Sequence, residues 1–149
     1  MAEHTLIIAV YMMDGRYHGV GDWPPSPFRL FQALVAAAHL GRAISAIERT
    51  ALTWFEHLEP PVIAVPSGKK SKTVTYYMPN NSLDTVEGNP FRIAEIRRSK
   101  EVVAWLFDER IPFLYAWPIN ANEALSEEIG NISKRLYQFG RGVDMAYAV

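Results

Sequence analysis

Three prolines within four residues, Pro24, Pro25 and Pro27, divide the N-terminal part of the chain. Before them, residues 5–13 are apolar and β-branched, which is typical of a strand. After them, apolar side chains recur every three or four residues, as in an amphipathic helix. Because proline fixes φ and lacks an amide hydrogen, the cluster predicts a rigid connection and a helix that begins at Pro27, with Ser26 as its N-cap.

The remaining segments alternate between strand-like and helix-like patterns. Ser45 and Glu48 form a predicted capping box for a second helix. Strands are predicted over 62–65, 73–78, 101–107, 112–117 and 143–149, with a hairpin joining 101–107 to 112–117, and a last helix is predicted over 125–139.

When the second helix and the extra strands between it and the last helix are set aside, the order is β-α-β-β-α-β. This order predicts an α+β class and a ferredoxin-like (RNA-recognition-motif-like) arrangement, in which two helices pack on one face of an antiparallel sheet. The extra helix follows the first one, and an irregular stretch that reaches about Lys100 forms a long inserted loop.

Length and composition indicate one globular domain over residues 1–149. Hydrophobic residues make up 49% and charged residues 21%, and cysteine is absent. The N-terminus lacks a basic region before its short apolar run, so we expect a cytoplasmic protein without a membrane partner. The net charge of −1 argues against a strongly basic nucleic-acid binder, although basic side chains cluster in 67–72 and 91–100. Those clusters are either ordinary solvated loops or part of a binding surface.

Motifs for metals, cofactors and nucleophilic catalysis do not stand out. The four histidines lie far apart without metal-ligand spacing, and the chain contains neither a phosphate-binding loop nor a nucleophile elbow. We therefore expect no metal and no cofactor.

Two glycine-flanked loops are better candidates for a binding site. "DGRYHG" supplies a cation, a ring and a titratable donor in Arg16, Tyr17 and His18, a set that suits single-stranded RNA. The alternative is a strand that bulges at its glycines, with Tyr17 packed inward. In "GRG", Gly140 and Gly142 let backbone amides approach a phosphate that Arg141 clamps. The alternative is a helix C-cap at Gly140, but a C-cap explains the presence of neither Arg141 nor Gly142.

A third candidate is "YYMPNN". Tyr76 and Tyr77 lie on opposite faces of a strand, so at most one of them stacks on a ligand while the other enters the core. Asn80 and Asn81 either bind base edges or form a turn that needs no ligand.

Six segments taken together resemble a known family: "DGRYHG", "WPPSPFRLFQAL", "PPVIAVP", "YYMPNN", "LYAWP" and "GRGVDMA". In this order they resemble the handle-binding subunit of type I-G (formerly I-U) CRISPR effector complexes, or Cascade. That subunit belongs to the RAMP superfamily, which is built on the ferredoxin-like RNA-recognition fold. The resemblance extends from Thr5 to Met145.

The resemblance implies a non-catalytic role in antiviral defence, in which the subunit grips the 5′ repeat-derived handle of crRNA within a ribonucleoprotein complex. The resemblance implies two direct partners, the crRNA handle and the backbone subunit, whose filament this subunit caps. Further implied partners are the helicase-nuclease, the small or large subunits and, indirectly, target DNA. In this subtype a C-terminal half resembling the processing nuclease usually follows. The chain ends at Val149, so processing activity is not assigned to it.

The expected contacts lie around the start of the first helix, where Ser26 and the free amides face an anion and Arg29 adds a cation. The full RNA-binding set is Arg16, Tyr17, His18, Trp23, Ser26, Arg29, Lys69, Lys70, Lys72, Tyr77, Asn80, Asn81, Arg97, Arg98, Lys100, Gly140, Arg141 and Gly142.

Two other functions stay open. One is a metal-independent endoribonuclease that processes CRISPR repeat RNA, with His18 as general acid or base, assisted by Tyr17 or a lysine of 69–72. The other is a purely protein-interaction module, recognisable by an apolar exposed sheet face and the absence of salt-sensitive RNA affinity.

Overall fold

A computed structural model describes residues 4–19, 21, 23–79, 87–120 and 123–149. The strands are β1 His4–Met12, β2 Arg16–Tyr17, β3 Val62–Ala64, β4 Lys69–Lys70, β5 Val74–Pro79, β6 Arg97–Val102, β7 Trp105–Leu106, β8 Phe113–Ile119 and β9 Ala146–Ala148. The helices are α1 Pro27–Ala38, α2 Ala46–Glu56, α3 Glu123–Ser133 and a 3₁₀ helix over Pro90–Ile96. The predicted α+β class is confirmed, and no described helix is long and apolar enough to span a membrane.

The central sheet has four antiparallel strands in the order β3-β8-β1-β9. Alternate residues point to opposite faces, as the two-residue period of a strand requires. Ile8, Val10, Phe113 and Tyr115 point into the core and are fully buried. The residues that alternate with them form an exposed apolar face, which we call the open sheet face: Ile7, Val62, Leu114 and Tyr147.

The proline cluster behaves as predicted. Helix α1 begins at Pro27, and the Ser26 hydroxyl accepts the Arg29 amide at 3.4 Å. The Tyr115 hydroxyl donates to the Pro25 carbonyl at 2.8 Å, which ties the cluster to the middle of β8. The entry to α1 is therefore fixed both by local geometry and by the core.

The capping box of α2 is also confirmed, but its acid has a second role. The Glu48 carboxylate accepts the Ser45 amide at 2.8 Å and the Arg42 guanidinium at 2.5 and 3.1 Å, and it also binds Arg135. Glu48 is only 1% exposed. The Ser45 amide, aided by the two guanidiniums, holds the pKa of Glu48 far below its usual range, although burial opposes the shift. Glu48 thus joins α2 to the segment that follows α3.

Two predicted elements are wrong. Residues 101–107 and 112–117 do not form a hairpin, because β6 pairs with β5, β7 pairs with β2 and β4, and β8 pairs with β1 and β3. Helix α3 ends at Ser133, although Leu136 and Phe139 continue its apolar spacing and are buried. Gln138 instead bridges to Met145, so strand pairing replaces the helix there.

The predicted inserted loop contains regular structure. β5 and β6 form a two-stranded ribbon, and the 3₁₀ helix leads directly into β6. The side chains of this ribbon are almost all exposed. It therefore stands apart from the central sheet as a separate surface.

Replacing Glu48 by Gln should lower the free energy of unfolding by about 2–4 kcal/mol at pH 7, because two guanidiniums lose their carboxylate. Folding lowers the pKa of Glu48, so its contribution to stability is present above the ordinary value of 4.5 and declines as the pH falls toward the folded-state pKa. Urea unfolding at pH 7 and pH 3 measures both effects. Glu56→Gln, an exposed site on the same helix, is the control and should change stability by less than about 0.5 kcal/mol.

Candidate nucleic-acid interface

A small sheet brings the "DGRYHG" and "SGKK" segments together. β2, β7 and β4 pair in that order, so that Arg16 and Lys69 both lie opposite Leu106. Residues directly opposite one another point to the same face, and two strand spacings separate them by about 10 Å. Arg16 and Lys69 are exposed and therefore form a row of cations on the outer face of this sheet.

The inner face of the small sheet is aromatic. Tyr17 is 2% exposed, with ring centroids of Phe139, Trp23 and Phe113 at 5.9, 6.4 and 6.5 Å. Burial raises the pKa of Tyr17, and the charge of the Arg29 guanidinium partly opposes this shift. Of the two expectations for Tyr17, inward packing is the one found.

Trp23 belongs to the same aromatic cluster. Its ring lies 5.3 Å from Trp105 and 5.5 Å from Phe107 between centroids, and its other neighbours include Phe113. The Lys70 ammonium lies 5.4 Å from the centroid of the Trp105 ring. Tyr17 and Trp23 therefore support the small sheet from below.

A buried carboxylate connects β2 to the last loop. Asp144 is 2% exposed and accepts hydrogen bonds from the His18 amide at 3.0 Å, the Arg141 amide at 2.8 Å and the His18 ring Nδ1 at 2.7 Å. The two predicted motifs, "DGRYHG" and "GRG", thus share one acceptor. This acceptor fixes the orientation of the His18 ring.

Gly140 is required by a close approach and not by a helix C-cap. Its φ is +122°, and a Cβ would lie 2.5 Å from an Asp144 carboxylate oxygen and 2.8 Å from the Tyr17 ring. The predicted C-cap is wrong, because α3 has already ended at Ser133. Arg141 and Gly142 are exposed at the tip of the loop.

The exposed part of His18 faces a shallow pocket of ≈ 230 Å³ that Arg16 and Asp144 also line. The His18 side chain is about one-fifth exposed, at 20%, and its Nε2 has no hydrogen-bond partner in the described part of the chain. When Nδ1 carries the proton toward Asp144, Nε2 is an acceptor that a ligand can reach.

The start of α1 approaches the same loop from the other side. Arg29 lines a second pocket, of ≈ 140 Å³, together with Gln32 and Gly140. Ser26 is exposed one turn earlier and caps the Arg29 amide. We use the name Asp144 site for the following four residues, of which Arg16 and Arg141 are exposed and His18 and Arg29 are half-buried: Arg16, His18, Arg29 and Arg141.

The β5–β6 ribbon carries the remaining basic residues. Tyr77 is 71% exposed and shares a face with Arg97, whereas Tyr76 lies opposite Lys100 on the other face. Neither tyrosine enters the core, so that expectation is wrong. Arg98 lies opposite Met78, on the face of Tyr76.

Ser71 joins the ribbon to the small sheet. Its amide donates to the Ala104 carbonyl at 2.7 Å, and its hydroxyl accepts the Ala104 amide at 3.0 Å. Lys72 is exposed beside this joint. Asn80 and Asn81 lie outside the described residues.

The structure thus groups most predicted residues in two places. Arg16, Tyr17, His18, Trp23, Ser26, Arg29, Lys69, Lys70, Gly140, Arg141 and Gly142 lie around the Asp144 site and the small sheet, and Lys72, Tyr77, Arg97, Arg98 and Lys100 lie on the ribbon or at its base. Sequence reasoning missed Asp144. The signal for Asp144 was an acid inside the apolar segment 143–149. Within the described ranges, no group of three acidic or histidine side chains is placed to hold a metal ion.

Comparison with known families adds an independent finding. A family model described as "CRISPR-associated protein, GSU0054 family" matches residues 1–102. The matched region includes Arg16, His18, Arg29 and Lys69, whereas Arg141 and Asp144 lie beyond it. No curated protein and no solved structure matches the chain.

Replacing Gly140 by Ala should lower the free energy of unfolding by about 2–4 kcal/mol, because the added methyl group meets Asp144 and Tyr17 and the backbone is strained. Gly142→Ala is the matched control: its Cβ would point into open space, so stability should change by less than about 0.5 kcal/mol. Urea unfolding of the two variants measures the difference. Equal stabilities would show that the loop relaxes at no cost.

Proposed function

Because the chain belongs to the CRISPR-associated protein GSU0054 family, we propose that it is a crRNA-binding subunit of a type I-G effector complex and grips the 5′ repeat-derived handle. One observation carries the proposal: three segments far apart in sequence are brought together at the small sheet. Segments 14–18 and 69–70 supply β2 and β4, which flank β7, and segment 139–144 binds His18 beside β2 through Asp144. They present the exposed cations Arg16, Lys69 and Arg141 and bury Tyr17 and Asp144, although Arg16 also pairs with the exposed Asp14 at 3.5 Å. That polarity suits an anionic ligand.

The sheet supports a ferredoxin-like fold of the RAMP type for this subunit. β1, β3, β8 and β9 correspond to the first, second, third and fourth strands of a β-α-β-β-α-β unit. Across the sheet these four strands lie in the order second, third, first and fourth. This is the strand order of a ferredoxin-like sheet. Helices α1 and α2 connect the first pair of these strands, and α3 connects the last pair.

Single-stranded RNA fits the chemistry of both surfaces. Arg16, Lys69 and Arg141 are exposed cations that can each contact a phosphate, and His18 offers a ring nitrogen beside them. On the ribbon, exposed tyrosine rings lie among arginine and lysine side chains, a combination that stacks on unpaired bases while neutralising their phosphates. A kinked handle that contacts both surfaces is the ligand we propose.

The His18–Asp144 pair also favours a second candidate, an endoribonuclease. In metal-independent cleavage a base takes the 2′-hydroxyl proton, the 2′-oxygen attacks phosphorus, and an acid protonates the departing 5′-oxygen. His18 oriented by Asp144 supplies one such group. The Tyr17 hydroxyl is buried against Arg29 and is a poor second group, which leaves only a lysine of 69–72. Binding is therefore the better-supported function.

A protein-interaction role belongs to the same proposal. The open sheet face has the apolar, exposed character expected of an interaction module, with Val62 72% exposed. We assign it to contacts with the backbone subunit or another protein of the complex. A module without an RNA ligand would lack the salt dependence described next.

Binding of a labelled crRNA with its native 5′ handle should weaken with salt and exceed binding of a scrambled handle. Arg16→Ala and Arg141→Ala should each weaken binding roughly fivefold and lower the slope of log K against log salt by about 0.7, because each removes one phosphate contact. Arg49→Ala, an exposed cation on α2, is the control. Fluorescence anisotropy across a salt series measures these slopes, and identical slopes in all four proteins would contradict the assignment.

The same RNA distinguishes binding from cleavage. The protein should bind the handle and leave the RNA intact in the presence of EDTA, and His18→Ala should weaken binding roughly threefold without changing the length of the RNA. A denaturing gel reads the length. Cleavage by the unmodified protein that disappears in His18→Ala would instead establish the endoribonuclease.

A further inference from the structure

A groove of ≈ 420 Å³ lies between the first turn of α1 and the C-terminal end of α2. Its floor is Trp117, which packs on Phe55 with ring centroids 4.7 Å apart, and Phe31 stacks on Phe55 at 6.4 Å. Phe28 forms the outer wall and is 66% exposed. The helix period directs Phe28 and Phe31 to a different side of α1 from Arg29, so this groove is separate from the Asp144 site.

The rim of the groove is acidic. Glu56 and Glu59 are exposed and line it, and neither pairs with a cation among the residues that the structure describes. Helix α2 ends at Glu56 without a basic residue in its last turn. A helix C-terminus carries a partial negative charge, which adds to the charge of the two carboxylates. The combined negative charge attracts a cation from a ligand. Arg49 of α2 and His57, which follows the helix, line a separate depression.

We propose that this groove docks a segment of a protein partner in which an apolar side chain is followed by lysine or arginine. The apolar side chain fills the space above Trp117, and the cation pairs with Glu56 and Glu59. The wall formed by Pro60 and Pro61 is conformationally restricted, which lowers the ordering cost of binding. RNA is disfavoured because the two carboxylates repel phosphate and, among the residues that the structure describes, no arginine or lysine lines the groove.

Matched peptides test the proposal with the full chain. Each is a twelve-residue Gly/Ser peptide with a fluorescent label and a central Leu-Arg-Arg, Leu-Glu-Glu or Ala-Arg-Arg. The Leu-Arg-Arg peptide should bind about fivefold more tightly than either of the others, because only it satisfies both the apolar floor and the acidic rim. Anisotropy measures the affinities, and ¹H–¹⁵N spectra should show its largest shifts at Phe28, Phe55 and Leu58.

Charge reversal makes the test specific. Glu56→Lys/Glu59→Lys should invert the preference toward Leu-Glu-Glu, and Phe28→Ser should reduce Leu-Arg-Arg binding about fivefold with little effect on folding, since Phe28 is mostly exposed. Glu109→Lys/Glu127→Lys, which reverses two exposed acids elsewhere, is the control and should keep the original preference.

Three results would overturn the proposal: equal affinity for all three peptides, spectral shifts located elsewhere, or displacement of the peptide by handle RNA. The groove variants should bind handle RNA as the unmodified protein does, because the groove and the Asp144 site are separate. Failure of RNA binding in every variant, with peptide binding intact, would count against the RNA function and leave this docking site standing.

Discussion

The buried carboxylate of Asp144 is the interaction on which the candidate site depends. A carboxylate that leaves water is stable only when hydrogen-bond donors replace the water, and here the donors come from two segments more than a hundred residues apart. Satisfying the charge therefore requires β2 and the last loop to meet. The meeting fixes the His18 ring, forces glycine at position 140, and leaves the side chains of Arg16 and Arg141 outside, where an anion can reach them.

The site is also supported by an aromatic layer. Tyr17, Trp23 and Phe113 pack beneath the small sheet, and the proline cluster positions Trp23 there while it starts α1. A buried aromatic layer fixes strands as short as two residues, which their few backbone hydrogen bonds would not do alone. The "DGRYHG" and "WPPSP" segments, which resemble a known family, thus pack against each other in the structure.

Elements determined by neighbouring residues were predicted correctly from the sequence, whereas the pairing of strands that are distant in sequence was not. The starts of α1 and α2 were correct because proline, Ser26, Ser45 and Glu48 act on their own neighbours. The hairpin of 101–107 with 112–117 was wrong because each segment pairs with strands far away in sequence, and adjacency along the chain was the only guide. The apolar spacing of 125–139 continues past the helix because burial, and not helical structure, determines which residues are apolar.

The same limit explains which candidate site residues could be predicted. Arginines, glycines and tyrosines can be proposed as binding residues from their residue type alone. The role of a buried acid such as Asp144 can be recognised only when its hydrogen-bond donors are known. The net charge of −1 conceals local differences: exposed cations lie on the small sheet, the ribbon and the last loop, and two exposed acids line the groove between α1 and α2. A subunit that holds RNA and protein at once benefits from this separation, because each surface repels the ligand of the other. Under the proposed function, charge placement then selects orientation as well as affinity, since the acidic groove repels RNA.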